Sequence, residues 1–316
     1  MQLVLVFIAF FSIYYNKKEN LHPIENTIAS YDSPYAYIGI LEQEFQIPDD
    51  NGNEQTKKIR YISNYKNLKY GAHTLSYISE KPGVISKMYY IYLFNRIYNA
   101  KSENKSVLLL GIAGNALLNT IFNNTNVETA GNTDFDMVEI DPCMVEIAKK
   151  YFFYTDSKKV KLYIKDARSY INRLVKSKNK DKYDIIFHDI YNSDVSIPYE
   201  TITIEALKNI RYILKENGIL AINIIADLED GNNEYFSQIY RQLKEVFPVV
   251  KIYAVIPDEL EEFQNYILVG FKSNNDSNNE IINNLKDNEV EIVPKEQPEV
   301  FTDDFAPFEK FFIYKN

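Results

Sequence analysis

Glu139, Asp166 and Asp189 each stand where an apolar run stops, in MVEI, KLYIKD and DIIFHD respectively. Carboxylates placed in this way can do three kinds of work. One at the end of a strand accepts both hydrogen bonds of a ribose diol, another accepts from an adenine amino group, and a third takes a proton from an attacking amine or offsets a cationic ligand. Gly111 and Gly114 follow a further apolar run, VLLLG, and let the backbone pass close to a ligand while a helix at 115–123 turns its positive end toward it. Taken in chain order, Glu139 is assigned to a ribose, Asp166 to an adenine, and Asp189 to proton transfer at the mouth of the site. Each has a plainer reading beside it. Asp141-Pro142 reads as an N-cap followed by a first helical residue, so Asp141 goes to the cap and Glu139 to the ligand. Asp166 competes as the N-cap of a helix at 167–176, Asp189 as a loop cap, and Tyr191, one of 26 tyrosines, as packing rather than a stacking partner.

Elements of definite kinds must hold these residues. Strands are expected at 107–110, 134–140, 160–164, 184–188 and 218–225, with helices near 115–123, 142–153, 167–176, 201–215 and 232–246 between and after them. Two more strand-like runs, VVKIYAVI and NYILVGF, lie close together at the end. Apolar strands alternating with amphipathic helices predict an α/β protein with a doubly wound parallel sheet closed by an antiparallel pair, the methyltransferase-like variant of the Rossmann-like fold. In such sheets ligands sit outside the carboxyl ends of the strands, where successive connections diverge. Before the sheet, Tyr- and Ile-rich alternation from Tyr35 to Tyr77 predicts a small β-meander, and apolar recurrence over 84–100 predicts a helix leading into the main domain. The expected organisation is a hydrophobic segment at 1–20, a small β-domain at 30–82, a catalytic domain at 84–272, a polar linker at 273–300 and an aromatic docking segment at 301–316.

A net charge of −9 argues against a nucleic acid partner, and a single cysteine, Cys143, allows no internal disulfide. Its expected role is a small buried or half-buried filler. His22, His73 and His188 have no metal-ligand spacing among themselves or with Cys143, so no metal is expected. Lysines at 176, 178, 180 and 182 read as a solvated loop. Residues 3–15, LVLVFIAFFSIYY followed by Lys17 and Lys18, read as a membrane tether with the following domain on the cytoplasmic side, although the run is short for a full span.

The stretches SPYAYIGILEQ, VLLLGIAGNALL, MVEIDPCMVEIAKKYF, IKDARSYI, YDIIFHDIYNSDVSIPYETITIEALKNIRYILKENGILAINI and FTDDFAPFE together resemble the spermidine synthase (polyamine aminopropyltransferase) family, in its divergent membrane-associated branch. The resemblance implies an amino-terminal β-domain on a seven-stranded Rossmann-like domain, a homodimer, and transfer of an aminopropyl group from decarboxylated S-adenosylmethionine to a diamine such as putrescine, without a metal. It places Gly111 and Gly114 along the sulfonium donor, Glu139 on its ribose, Asp166 and Ala167 on its adenine, and Asp189 as catalytic acid/base. The sequence departs from the family at two carboxylates: GGGDGG becomes GIAGNA, with Gly114 in place of the first Asp, and the second Asp of D-S-S-D-P falls on Asn192. Asp194, or Asp303 or Asp304, stands as a replacement, and Tyr191 with Asp194 as amine-binding residues. Three readings stay open: aminopropyl transfer, methyl transfer from intact S-adenosylmethionine, and a membrane-tethered binding protein whose chemistry has lapsed.

Overall fold

The computed structural model describes residues 26–48, 54–64, 73–79, 89–101, 105–123, 133–178, 182–191, 196–228, 233–275, 278–292, 299–307 and 311. The expected membrane tether at 3–15 lies outside them, and among the described residues no helix is long and apolar enough to cross a membrane.

Four antiparallel strands come first: β1 (Thr27–Asp32), β2 (Tyr37–Pro48), β3 (Glu54–Asn64) and β4 (His73–Ser79), neighbours in that order. The meander starts at Thr27, ahead of the expected Tyr35. TIASYD has no fully buried residue, so its alternation leaves little apolar signal. Ala36, Ile38, Ile40 and Ile62 of this sheet bury themselves against Met144, Ile147 and Phe152 of the main domain.

The second sheet has seven strands in the order β10-β11-β9-β8-β5-β6-β7. They are β5 (Ser106–Leu110), β6 (Asp134–Glu139), β7 (Val160–Ile164), β8 (Tyr183–His188), β9 (Leu214–Ala226), β10 (Val249–Ala254) and β11 (Gln264–Phe271). β5 to β9 are parallel, whereas β11 runs antiparallel to both β9 and β10. Period-two geometry sends Val107 and Leu109 to one face and Leu108 and Leu110 to the other, and both faces are covered. On one side lie α1 (Tyr89–Asn99), α2 (Ala116–Asn123) and α3 (Pro142–Tyr151); on the other lie α4 (Ala167–Lys176), α5 (Ile204–Ile213) and α6 (Glu234–Val246). The helix expected at 201–215 is divided. A 3-10 turn at Tyr199–Thr201 precedes α5, whose N-cap Thr203 accepts from the Ala206 amide, and the chain enters β9 directly at Leu214.

The stretch 273–300, expected as a polar linker, contains a helix, α7 (Asn279–Asn284), and a 3-10 turn at Lys286–Asn288. Ile281 and Leu285 are fully buried there in the cluster that holds α1. Two apolar residues among many asparagines were too few to show as a pattern, yet they suffice to seat a short helix. Of the expected docking segment at 301–316, residues 301–307 and 311 are described. Phe301 is buried and its carbonyl accepts from the Ile204 amide, while the Asp303 carboxylate accepts from Arg168 and from the Thr203 hydroxyl, both at 2.6 Å.

Lys182, expected as part of a solvated lysine loop, is instead an anchor. Its ammonium sits 2.6 Å from Asp136 Oδ2, which also accepts from the Tyr183 hydroxyl at 2.6 Å, and Asp136 is buried. Burial pushes the Asp136 carboxyl up, but Lys182 and Tyr183 outweigh it and hold the group below the usual carboxylate value. A depressed carboxylate stabilises the fold above its unfolded-state value and loses that contribution as pH falls through the folded one. Asp136→Asn is therefore expected to cost about 2 kcal/mol at neutral pH, a fall in melting temperature of about 5 °C, and the deficit should shrink in acid. Thermal melts of both proteins between neutral and acid pH provide the check.

Candidate functional site

The register of the parallel strands aligns Leu110 with Val138 and with His188, and Glu139 with Ile164. Asp189, Gly111, Glu139 and Asp166 consequently follow one another along a single rim, at the ends of β8, β5, β6 and β7. Three strand spacings separate the ends of the row, about 14 Å. The chain runs from β5 outward to β7, then returns to place β8 on the other side of β5, so the switch point lies between Gly111 and Asp189.

The two backbones nearly touch there. Asp189 donates its amide to Leu110 O at 2.9 Å, and Gly111 donates to Val138 O at 2.9 Å. Gly111 has φ +84°, and a Cβ at this position would lie 2.3 Å from the Asp189 carbonyl oxygen. Only glycine fits. The left-handed conformation recurs at Ala113 (φ 37°) and Asn115 (φ 60°), which coils the loop tightly into α2; Gly114 is buried within it.

Asp189 is half-buried, with both carboxylate oxygens held. Tyr90 of α1 donates its hydroxyl to Oδ2 at 2.8 Å, and Asn223 of β9 donates its amide to Oδ1 at 2.9 Å. Asn223 is itself oriented by Asn265 of β11, whose amide reaches Asn223 Oδ1 at 2.9 Å. Burial pushes the Asp189 carboxyl above its ordinary value, while the bonds from Asn223 and Tyr90 pull it back down. A carboxylate whose pKa is raised in this way is a better proton acceptor than a solvated one. Tyr90→Phe removes a donor that favours the ionised form. The acid limb of the kcat/KM profile is then expected to move to higher pH, with a rate loss of about 10-fold near neutrality. A purely structural tyrosine would leave that limb in place.

Glu139 is buried at 8% exposure, yet both its oxygens meet backbone amides, Asp141 N at 2.9 Å and Ile112 N at 3.2 Å. Burial raises its pKa, and the bonds from Asp141 and Ile112 oppose the rise. The residue thus ties the glycine loop to the β6 turn, and the remaining lone pairs are available to a diol. Asp141 caps α3 as expected, accepting from Cys143 N at 2.8 Å, and its other oxygen accepts from Ser33 of the small sheet at 2.6 Å. Cys143 beside it is half-buried.

Asp166 is exposed and caps α4, accepting from Ser169 N at 2.7 Å, so the capping reading holds for Oδ1. Ala167 is buried behind it. Between them and Glu139, Ile140 and Ile164 stand 39% and 49% exposed, two apolar side chains beside the part of the rim assigned to a flat ring. Tyr191 does not stand free: its hydroxyl donates to Asn223 O at 2.8 Å and its ring packs on the core. Asp303, a proposed replacement carboxylate, is bound to Arg168 and Thr203. Asp194 and Asn192 lie outside the described residues.

A cleft opens beside Asp189, walled by Tyr90, Ile91, Gly111, Ile112 and Asn115. Of the residues chosen from sequence, only Gly111 and Asp189 line it; Glu139, Asp166 and Ala167 lie farther along the rim. Tyr90, Asn115 and Asn223 were missed. Asn223 had a signal, since a lone amide inside ILAINII must find a partner when the strand is buried. Tyr90 and Asn115 had none among so many tyrosines and asparagines. His188, buried beside Asp189, bonds through Nε2 to the Thr201 hydroxyl at 2.8 Å, and burial lowers its pKa to about 4, so it is neutral. Among the described residues no three His, Cys, Asp or Glu side chains are grouped to hold a metal ion.

This geometry has known counterparts. A polyamine aminopropyltransferase of Vibrio vulnificus is 29% identical over 147 residues, 46% of this chain and 45% of that protein. An N-terminal histidine N-methyltransferase of Emericella nidulans is 29% identical over 143 residues, 44% of this chain and 24% of its own. In both cases the match spans less than half the length of the relative. A probable spermidine synthase of Corynebacterium glutamicum superposes with a TM-score of 0.60 at 16% identity, over 84% of this chain and 88% of that one, which establishes a shared fold. Residues 87–279, from α1 through β11 and so across the whole rim, match the spermine/spermidine synthase domain, and the protein belongs to that family.

Proposed function

We propose that the protein moves an aminopropyl group from decarboxylated S-adenosylmethionine to an amine, putrescine or a related diamine. The observation that supports this best is Asp189: a carboxylate whose pKa is raised by burial, held by Tyr90 and Asn223, at the switch point beside the cleft. The acceptor nitrogen attacks the carbon next to the sulfonium. An N–C bond forms as the C–S bond breaks, the sulfur leaves as the neutral thioether methylthioadenosine, and the proton shed by nitrogen passes to Asp189. Alignment of the two substrates supplies most of the acceleration, because the leaving group is already activated by its charge. Glu139 would bind the ribose, and Ile140 and Ile164 would flank the adenine, with the second oxygen of Asp166 toward its amino group. The test is appearance of methylthioadenosine from the decarboxylated donor on addition of putrescine. No turnover with any di- or polyamine removes the reading.

Methyl transfer from intact S-adenosylmethionine is a second reading, favoured by Gly114 and Asn192, which stand where the family's amine-gripping carboxylates are expected. A methyltransferase binds the intact donor more tightly than the decarboxylated one and releases S-adenosylhomocysteine, so paired affinity measurements on the two donors separate the two activities.

A further inference from the structure

The buried amide of Asn115 has an oxygen without a hydrogen-bond partner among the described residues. Asn115 sits at the entry to α2, is 5% exposed and lines the cleft next to Asp189. Its orientation follows from a chain of constraints. The Phe152 carbonyl can only accept, so Asn119 presents Nδ2 to it, at 2.8 Å. That leaves Asn119 Oδ1 turned to Asn115, which must answer with its own Nδ2, at 3.0 Å. Asn115 Oδ1 is what remains: shut off from bulk water and without a hydrogen-bond partner among the described residues. A buried acceptor left in this state costs free energy unless something brings it a donor. The neighbouring side chains of the cleft bring none, since those of Ile91, Leu109, Leu117, Met137 and Phe187 are apolar and the Tyr90 hydroxyl is engaged by Asp189.

We infer that Asn115 Oδ1 receives the ammonium at the end of the donor's carbon tail. The inference rests on the adenosyl-donor reading above and deepens it. An ammonium has three N–H donors and no acceptor, which suits a lone carbonyl-type oxygen. A neutral amide satisfies the bond without burying a further negative charge beside Asp189 and Glu139. The decarboxylated and the intact donor both carry this ammonium, whereas methylthioadenosine has the same nucleoside and no tail, so the three ligands isolate the contact.

The experiment is calorimetric binding of decarboxylated S-adenosylmethionine, S-adenosylmethionine and methylthioadenosine to the full chain and to Asn115→Gly, a replacement that tolerates φ 60°. Asn115→Gly is expected to weaken both tailed ligands about 10- to 100-fold and to leave methylthioadenosine within about 2-fold. Asn115→Asp, isosteric and charged, is expected to tighten the decarboxylated donor relative to methylthioadenosine. Equal weakening of all three ligands means a structural role and overturns the assignment, as does unchanged affinity for the tailed pair. If the unsubstituted protein binds none of the three, the adenosyl-donor reading itself fails; if it binds all three but the variant does not discriminate, only the role of Asn115 fails.

Discussion

Asp189→Asn is expected to lower kcat about 1,000-fold while leaving the affinity for the sulfonium donor within a few-fold. The side chain keeps its size, so the cleft keeps its shape. What changes is the capacity to take a proton. An amide at 189 can still meet both neighbours, its oxygen accepting from the Asn223 amide and its NH2 donating to the Tyr90 oxygen, because a hydroxyl both donates and accepts. The fold is also kept, since the Asp189 backbone amide still bonds Leu110 O. Single-turnover release of the adenosyl product, set against donor binding by calorimetry, separates the two effects. An undiminished rate would show that the amine loses its proton elsewhere. If Asp189 takes the proton as proposed, its raised pKa means that activity of the unsubstituted protein is expected to fall with acid earlier than a solvated aspartate would make it.

Gly111→Ala should be the most damaging single-methyl addition in the loop. The new Cβ would lie 2.3 Å from the Asp189 carbonyl oxygen and 3.0 Å from its carbonyl carbon, and both are backbone atoms that cannot rotate away. The φ of +84° adds strain of its own for any residue with a side chain. Relief requires β5 and β8 to separate at their ends, breaking the bond from Asp189 N to Leu110 O and moving the Asp189 carboxylate with it. We expect a loss of about 3–4 kcal/mol, a drop of about 10 °C in melting temperature, and no detectable donor binding by the folded remainder. Melting and ligand titration of the purified variant check both parts. A protein as stable as the parent would mean that the switch point is looser than a 2.9 Å inter-strand bond implies.

On the proposed reading, aminopropyl and methyl transfer differ in the donor's tail and in the nucleophile. Asn115 is the residue proposed for the tail, and Asp189, to which Tyr90 and Asn223 are bonded, the one proposed for the nucleophile.

Residues far apart in the chain could be assigned to one site from sequence because each stands at a strand end, and strand ends are written locally. VLLLG, MVEI, KLYIKD and DIIFHD each contain the apolar run, its stop and the polar residue beyond it. Parallel order then puts all the stops on one side of the sheet, so Gly111, Glu139, Asp166 and Asp189 had to share a rim once the alternation of strands and helices was recognised. The cap at Asp141-Pro142 was equally local. What sequence could not supply was the return traffic. Tyr90 and Asn223 reach Asp189 from an N-terminal helix and a late strand, Asn265 steadies Asn223 from a third element, and Phe152 dictates the rotation of Asn115 through Asn119. Likewise Lys182 was legible only as one lysine in a charged loop until Asp136 was placed beneath it, and Ile281 and Leu285 only as strays in a polar tract until α1 covered them. The physical reason is the same in each case: a strand end is set by backbone sterics and hydrophobic period within a few residues, whereas the partner of a buried polar group is set by which distant side chain fills the adjacent space.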